Sequence, residues 1–206
     1  MEKQVDLANV LKSRRSYKLK FDARLVDIEI IKKCIEIARW APSAHNGQFW
    51  RYIIIEQGKL RELLIDRMNT KLRNDLKKDG KSENYIKAKT RKSKNDFIKA
   101  PFLILLCLDS KAFEKYADDD RNQNEFIMGI QSISASATYL LLALELEKLA
   151  SCWYCAPLFA NEIVKKTLKL PETYLPMAFF TVGYPVTKVN APSRKPIQEI
   201  IYNLKL

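Results

Sequence analysis

Glycine is scarce in this chain, with five in 206 residues. No GxGxxG, GxxxxGK[ST] or GxSxG occurs, which argues against the Gly-rich phosphate loops of the common nucleoside triphosphate and dinucleotide folds. Histidine is scarcer still. His45 is the only one, and a single imidazole supplies neither a His-based metal cluster nor a pair of acid/base groups, so zinc hydrolase chemistry is disfavoured. The four cysteines, Cys34, Cys107, Cys152 and Cys155, are too few for a disulfide scaffold at this length and suit a reducing compartment. Cys152-Trp-Tyr-Cys155 has the spacing of a thioredoxin-type pair, but it follows a helix instead of opening one. It therefore lacks the helix N-terminus that would lower a thiol pKa, and with no second CxxC for a zinc ribbon, both cysteines read as packing thiols. The opening MEKQVDLANV is charged and helical in pattern, without the basic and then apolar regions of a secretory signal. The longest weakly polar run, 133–144, falls short of the ~20 residues of a membrane span. These absences together point to the cytoplasm.

What is present fits one α+β domain over residues 1–206, with 47% apolar residues to build its core. The net charge of +12 comes largely from residues 71–99. That stretch offers only Tyr85 and Phe97 as stacking platforms, so it reads as a solvated, lysine-rich helical excursion and nucleic acid is not expected as a partner. The apolar spacing predicts a short helix over 5–14, and a second capped by Asp27 and ended by Pro42. It predicts a strand over 51–56, charged helices over 59–78 and 82–99 separated by Gly80, and a strand covered on both faces over 100–108. The acidic knot Asp118-Asp119-Asp120 should precede a long helix from about Asn124 to Lys148, apolar around so much of its circumference that it must lie centrally or between subunits. "SCWYCAPLF" follows as strand or loop, Asn161 should cap a short helix, and "PMAFFTVGYP" is a last buried strand.

Few side chains look chemical. "SRRSYKLKF" sets two guanidiniums and a hydroxyl at the end of a short helix, a set able to hold a phosphate through forked, charge-assisted bonds. The same residues also suit a solvated helix C-terminus, where Arg complements the dipole. The order "RRSxxxF", "ARWAPSAxNxQxWRYIII", a buried strand, a long small-residue helix, "SCWxxxPLF", "LPETYLPMAFFTVGYP" and "PSRKP" resembles the nitroreductase family of FMN enzymes over residues 7–200.

The resemblance implies a nitroreductase-like mixed central sheet flanked by helices, a homodimer with long helices at its interface, and FMN sites formed between subunits. It implies that Pro42, Ser43, Ala44, His45 and Asn46 form a loop beside the flavin, with Asn46 and Gln48 addressing its ring or ribityl chain and Trp50 filling the core beneath. Arg14, Arg15 and Ser16 would hold the FMN phosphate, joined from the tail by Arg194 and Lys195. Ala156, Pro157 and Leu158 would line the ring near N5. The chain departs from the family where members commonly carry Gly in place of His45, "QP" in place of Gln48-Phe49, and a Gly-Leu-Gly turn in place of Lys148-Leu149-Ala150. The "SCWxC" version resembles members found near deazaflavin-cofactor biosynthesis more than it does the classical nitroaromatic reductases. Members also place an Asn and a Lys near the flavin, for which Asn95 and Lys94 are the candidates here.

The activity so implied is an FMN oxidoreductase that passes electrons from NAD(P)H to a nitroaromatic, quinone or similar acceptor by a ping-pong cycle. No side chain is required as a strong base, because hydride transfer is the cofactor's chemistry. The alternatives are a flavin- or deazaflavin-binding protein of biosynthesis, storage or sensing, and, further off, a basic nucleic-acid-binding module.

Overall fold

The protein is described from a computed structural model that covers residues 6–18 and 21–202. Helix α1 (Leu7–Ser13) begins where the Asp6 carboxylate accepts from the amides of Ala8 and Asn9. Asp27 caps α2 (Ile28–Ala38) through the amide of Glu29, as its position predicts, and α2 buries Ile31, Cys34 and Ala38 along one face. Strand β1 (Trp50–Ile55) leads into α3 (Lys59–Lys78) and α4 (Glu83–Ile98). Between these helices the chain reverses through Gly80, whose φ of +68° suits a residue without a Cβ. Then come β2 (Phe102–Asp109), α5 (Asp119–Leu146), β3 (Ala150–Tyr154), α6 (Asn161–Leu168) and β4 (Tyr174–Gly183).

The sheet runs β1-β2-β4-β3, and all three pairings are antiparallel. Among the described residues the parallel component of the expected mixed sheet is one bridge, Ser16 with Ser151, which lays the segment after α1 along β3. Side chains alternate across β2. Ile104, Leu106 and Leu108 face α2 and α5, while Leu103, Leu105 and Cys107 face α3, α4 and α6. Covered on both sides, β2 needs no polar alternation, which is why its sequence is an unbroken apolar run. Opposite the Leu106–Cys107 step β4 carries an irregularity, next to Pro176, which has no amide to donate to the ladder.

Two expectations are corrected. Helix α5 begins at Asp119, earlier than the predicted Asn124, because Asp118 accepts from the amide of Arg121 and Asp119 and Asp120 lie in the first turn, where acid groups complement the dipole. The resulting 28-residue helix is long and apolar enough to match a membrane span by composition, yet half of its most apolar window is buried inside the domain. Asn161 does not cap α6. Ala160 holds the cap position without a side-chain bond, and the Asn161 amide instead donates to the carbonyl of Pro176 at 3.1 Å.

A buried charge ties the layers together. Arg61, 1% exposed, donates to the carbonyls of Ile55, Glu56, Phe97, Ala100 and Pro101, so one guanidinium joins the end of β1, the start of α3, the end of α4 and the entry to β2.

Candidate functional site

The α1 C-terminus meets the far end of α5, where the Ser13 hydroxyl donates to Glu145 at 2.9 Å. Beyond it the amide of Tyr17 donates to the carbonyl of Ser151 at 3.0 Å, which fixes Arg14, Arg15 and Ser16 against the start of β3. Both arginines are half-buried and Ser16 is exposed. Arg15 folds back to donate from Nη1 to the carbonyls of Lys12 and Arg14, so it does complement the helix terminus, yet its buried Nε has no partner.

From Ser151 the strand carries the chain to the 3-10 turn Ala156–Phe159. That is about 16 Å of extended backbone from the arginines to Ala156, the scale of a ribityl phosphate and its ring. Pro157 is buried there, whereas Leu158 and Phe159 are exposed. Beside this strand α4 presents Lys92 and Asp96, which pair at 2.6 Å with the carboxylate buried and its Oδ1 unpartnered. Burial raises the Tyr154 phenol well above its ordinary range, and the neighbouring Cys152 and Asp96 raise it further. The two residues that sequence reasoning selected on α4 face elsewhere: Lys94 pairs with Asp66 of α3 at 2.6 Å, and Asn95 lines a groove with it. Lys92 and Asp96 are thus the charged pair that α4 brings to β3, beside Phe97, whose ring meets that of Tyr154. Their i,i+4 spacing was visible, but in a helix charged on all sides nothing marked which pair turns inward. All four cysteines are free, with Cys152 buried and Cys155 exposed.

The loop after α2 is conformationally unusual. His45, Asn46 and Gln48 have φ of +52°, +53° and +45°, a left-handed region costly for residues with a Cβ, whereas Gly47 has an ordinary φ of −68°. Gly47 serves packing instead: a Cβ there would lie 2.5 Å from Cζ of the Phe49 ring. Among the bonds that hold the loop, the Ala44 amide donates to Ser132 Oγ of α5 and the Gln48 amide to Ser43 Oγ, each at 3.1 Å. Asn46 and Gln48 open with Arg39 and Trp40 onto a cavity of about 300 Å³. His45 Nε2 lies 3.7 Å from Oε2 of Glu125, a carboxylate 1% exposed on α5. Trp50 is buried, as expected.

Within one chain these elements do not converge. Ser13, just before the arginines, meets α5 at Glu145, and the His45 loop meets it at Ser132 and Glu125, a separation of 13 to 20 residues or about 20–30 Å of helix. Arg194 and Lys195 lie on a tail that is exposed throughout 190–202. There Arg194 bonds the Ser193 carbonyl and Lys195 lies 4.0 Å from Glu199.

Comparison with known proteins decides the lineage, since the Nitroreductase family profile matches residues 11–184, from the α1 arginines to the end of β4. The chain belongs to the Nitroreductase family. An iodotyrosine deiodinase from Thermotoga neapolitana is 28% identical over 189 residues, 90% of each chain. Among solved structures, a BluB-like flavoprotein from Clostridium difficile 630 is 25% identical with a TM-score of 0.75, covering 98% of this chain and 100% of that one. A nitroreductase in complex with FMN from Desulfovibrio desulfuricans has a TM-score of 0.73 at 19% identity, covering 99% of each chain. Family membership places the chain among oxidoreductases. As a nitroreductase-family chain it also carries a donor set that suits a flavin phosphate, namely two half-buried guanidiniums, one of them bonded to the helix end with a buried and unpaired Nε, beside an exposed hydroxyl.

Proposed function

We propose that the protein is an FMN-dependent oxidoreductase that takes electrons from NAD(P)H and passes them to an electron-poor acceptor such as a quinone or nitroaromatic. The observation that carries this reading is the course of β3, anchored at Ser151 beside Arg14, Arg15 and Ser16 and ending at the Ala156–Phe159 turn. Family membership and the flavoprotein neighbour support a flavin in that place. Bound FMN would supply reversible hydride chemistry at N5. The chain's own work is to hold the phosphate with permanent cations and to set Ala156, Pro157 and Leu158 against the ring. Lys92, paired with Asp96, is a cation next to β3 that can offset negative charge arising near the ring.

The same geometry supports a homodimer. The loop of Pro42, Ser43, Ala44, His45, Asn46 and Gln48 meets α5 about 20–30 Å from where the residue before the arginines does, too far for one cofactor to touch both in a single chain. Two copies related by a two-fold axis with their α5 helices antiparallel would place the loop of one beside the β3 turn of the other. Exposed Ile127, Tyr139 and Leu146 on α5, and Val186, Ile197, Ile200 and Ile201 on the tail, supply apolar surface for that contact. In such a dimer Arg194 and Lys195 would reach a phosphate from the tail.

Purification tests the reading. The protein should be yellow, with roughly one FMN per chain released on denaturation, and NADH or NADPH should bleach it. A colourless protein that takes up no added FMN would contradict the reading.

A further inference from the structure

The buried side of α5 contains one carboxylate that the account so far leaves idle. Glu125 is 1% exposed, its Oε1 accepts from the Glu114 amide at 3.3 Å, and its Oε2 has no hydrogen-bond donor. Among the described residues, the one side chain within ion-pair reach of Oε2 that can carry a positive charge is His45, at 3.7 Å. Neighbouring charges are engaged elsewhere, since Glu114 accepts from the Tyr116 hydroxyl and Arg121 pairs with Asp118. His45 is held there by a backbone conformation that disfavours any side chain, although the glycine that could relieve the strain is two residues away. The imidazole remains about half exposed. Nε2 faces the buried carboxylate and leaves Nδ1 for a ligand.

We infer that His45, backed by Glu125, is the acid that protonates the acceptor in the oxidative half-reaction. The inference rests on the flavin reading, in which the His45 loop borders the cofactor. A quinone acceptor takes a hydride equivalent from the reduced flavin and, on its carbonyl oxygen, a proton from His45 Nδ1, giving the hydroquinone. Two electrons and two protons are accounted for, and His45 regains its proton from water before the next cycle. Glu125 is a positioning residue: it orients the ring and stabilises the imidazolium without touching the acceptor.

Two measurements test this. In flavin-free protein the single histidine gives one imidazole Cε1–H NMR signal, and Glu125→Gln should shift it at constant pH. An unmoved signal would overturn the pairing. In FMN-bound protein reduced with dithionite, so that no assumption about NAD(P)H enters, His45→Gly should slow oxidation by benzoquinone about 10²-fold, and added imidazole should restore much of the rate. Glycine suits the φ of +52°, so this variant is expected to fold. Oxidation at the wild-type rate, or a slow rate that imidazole does not raise, would overturn the proposal. Failure of the wild-type protein to bind FMN would show in the visible spectrum, overturning the flavin reading and this inference together, whereas failure of the NMR arm alone would leave the flavin reading standing.

Discussion

Arg61 is a charge buried without a counter-charge, and the carbonyl dipoles it gathers take the place of one. Burial lowers its pKa to about 10, so at neutral pH it remains a cation. Arg61→Ala would strip a donor from five carbonyls at the junction of two strands and two helices, and leaving even a few unsatisfied should cost on the order of 3 kcal/mol or more, read as a lower urea midpoint. The buried thiols make a second residue-scale prediction. Burial is the main cause that lifts both Cys34 and Cys107 to about 12. A group whose folded pKa is raised gives stability that is complete below its unfolded pKa and is lost as pH climbs towards the folded value. Each thiol should therefore cost about 1.4 kcal/mol per pH unit between roughly pH 9 and 12. Replacing both with Ala should flatten that alkaline slope in urea titrations at successive pH values, and an unchanged slope would mean other groups set it. At pH 8 a thiol reagent should find one fast-reacting cysteine per native chain, the exposed Cys155.

At the scale of elements, β3 and the loop after α2 are where chemistry and folding meet. If Cys152 and Cys155 relayed electrons, changing both to Ser would silence acceptor reduction while sparing flavin reduction. One thiol is buried in the strand and the other exposed at its end, with no disulfide between them. Both half-reactions should survive the double change in stopped-flow traces, with at most a few-fold loss. Gly47→Ala should be more harmful than its size suggests, because its Cβ would meet the Phe49 ring. Thermal melting should show a loss of 1 kcal/mol or more, of the order that overpacking brings. Most elements were legible in the sequence, because the β-branched run of β1, the unbroken apolar run of β2 and the spacing of Ile31, Ile35 and Ala38 in α2 are direct records of which faces are covered. What stayed hidden depended on tertiary partners. Asn161 looks like a cap but is claimed by Pro176, the inward pair on α4 is unmarked among its many charges, and Glu125 became notable only once His45 was seen above it. The strain of His45-Asn46-Gly47-Gln48 was equally invisible, since a glycine in a loop invites the assumption that it takes the positive φ.

For the whole molecule, α5 spans the domain and separates two groups of residues that belong to one cofactor site only if a second copy brings them together. The phosphate end can be probed alone. Arg14→Ala or Arg15→Ala should each weaken FMN binding roughly ten-fold or more, as expected for the loss of a charge-assisted bond of about 1.5–3 kcal/mol, and equilibrium dialysis measures this directly. Equal affinity in both variants would place the phosphate elsewhere. The central claim, a flavin held between two copies of this chain, is tested most directly by sedimentation velocity of the FMN-bound protein at micromolar concentration, monitored at the flavin's visible absorption band. The account predicts a single species at the mass of two chains carrying all of the visible absorbance, and a stable monomer that retains its flavin would contradict it.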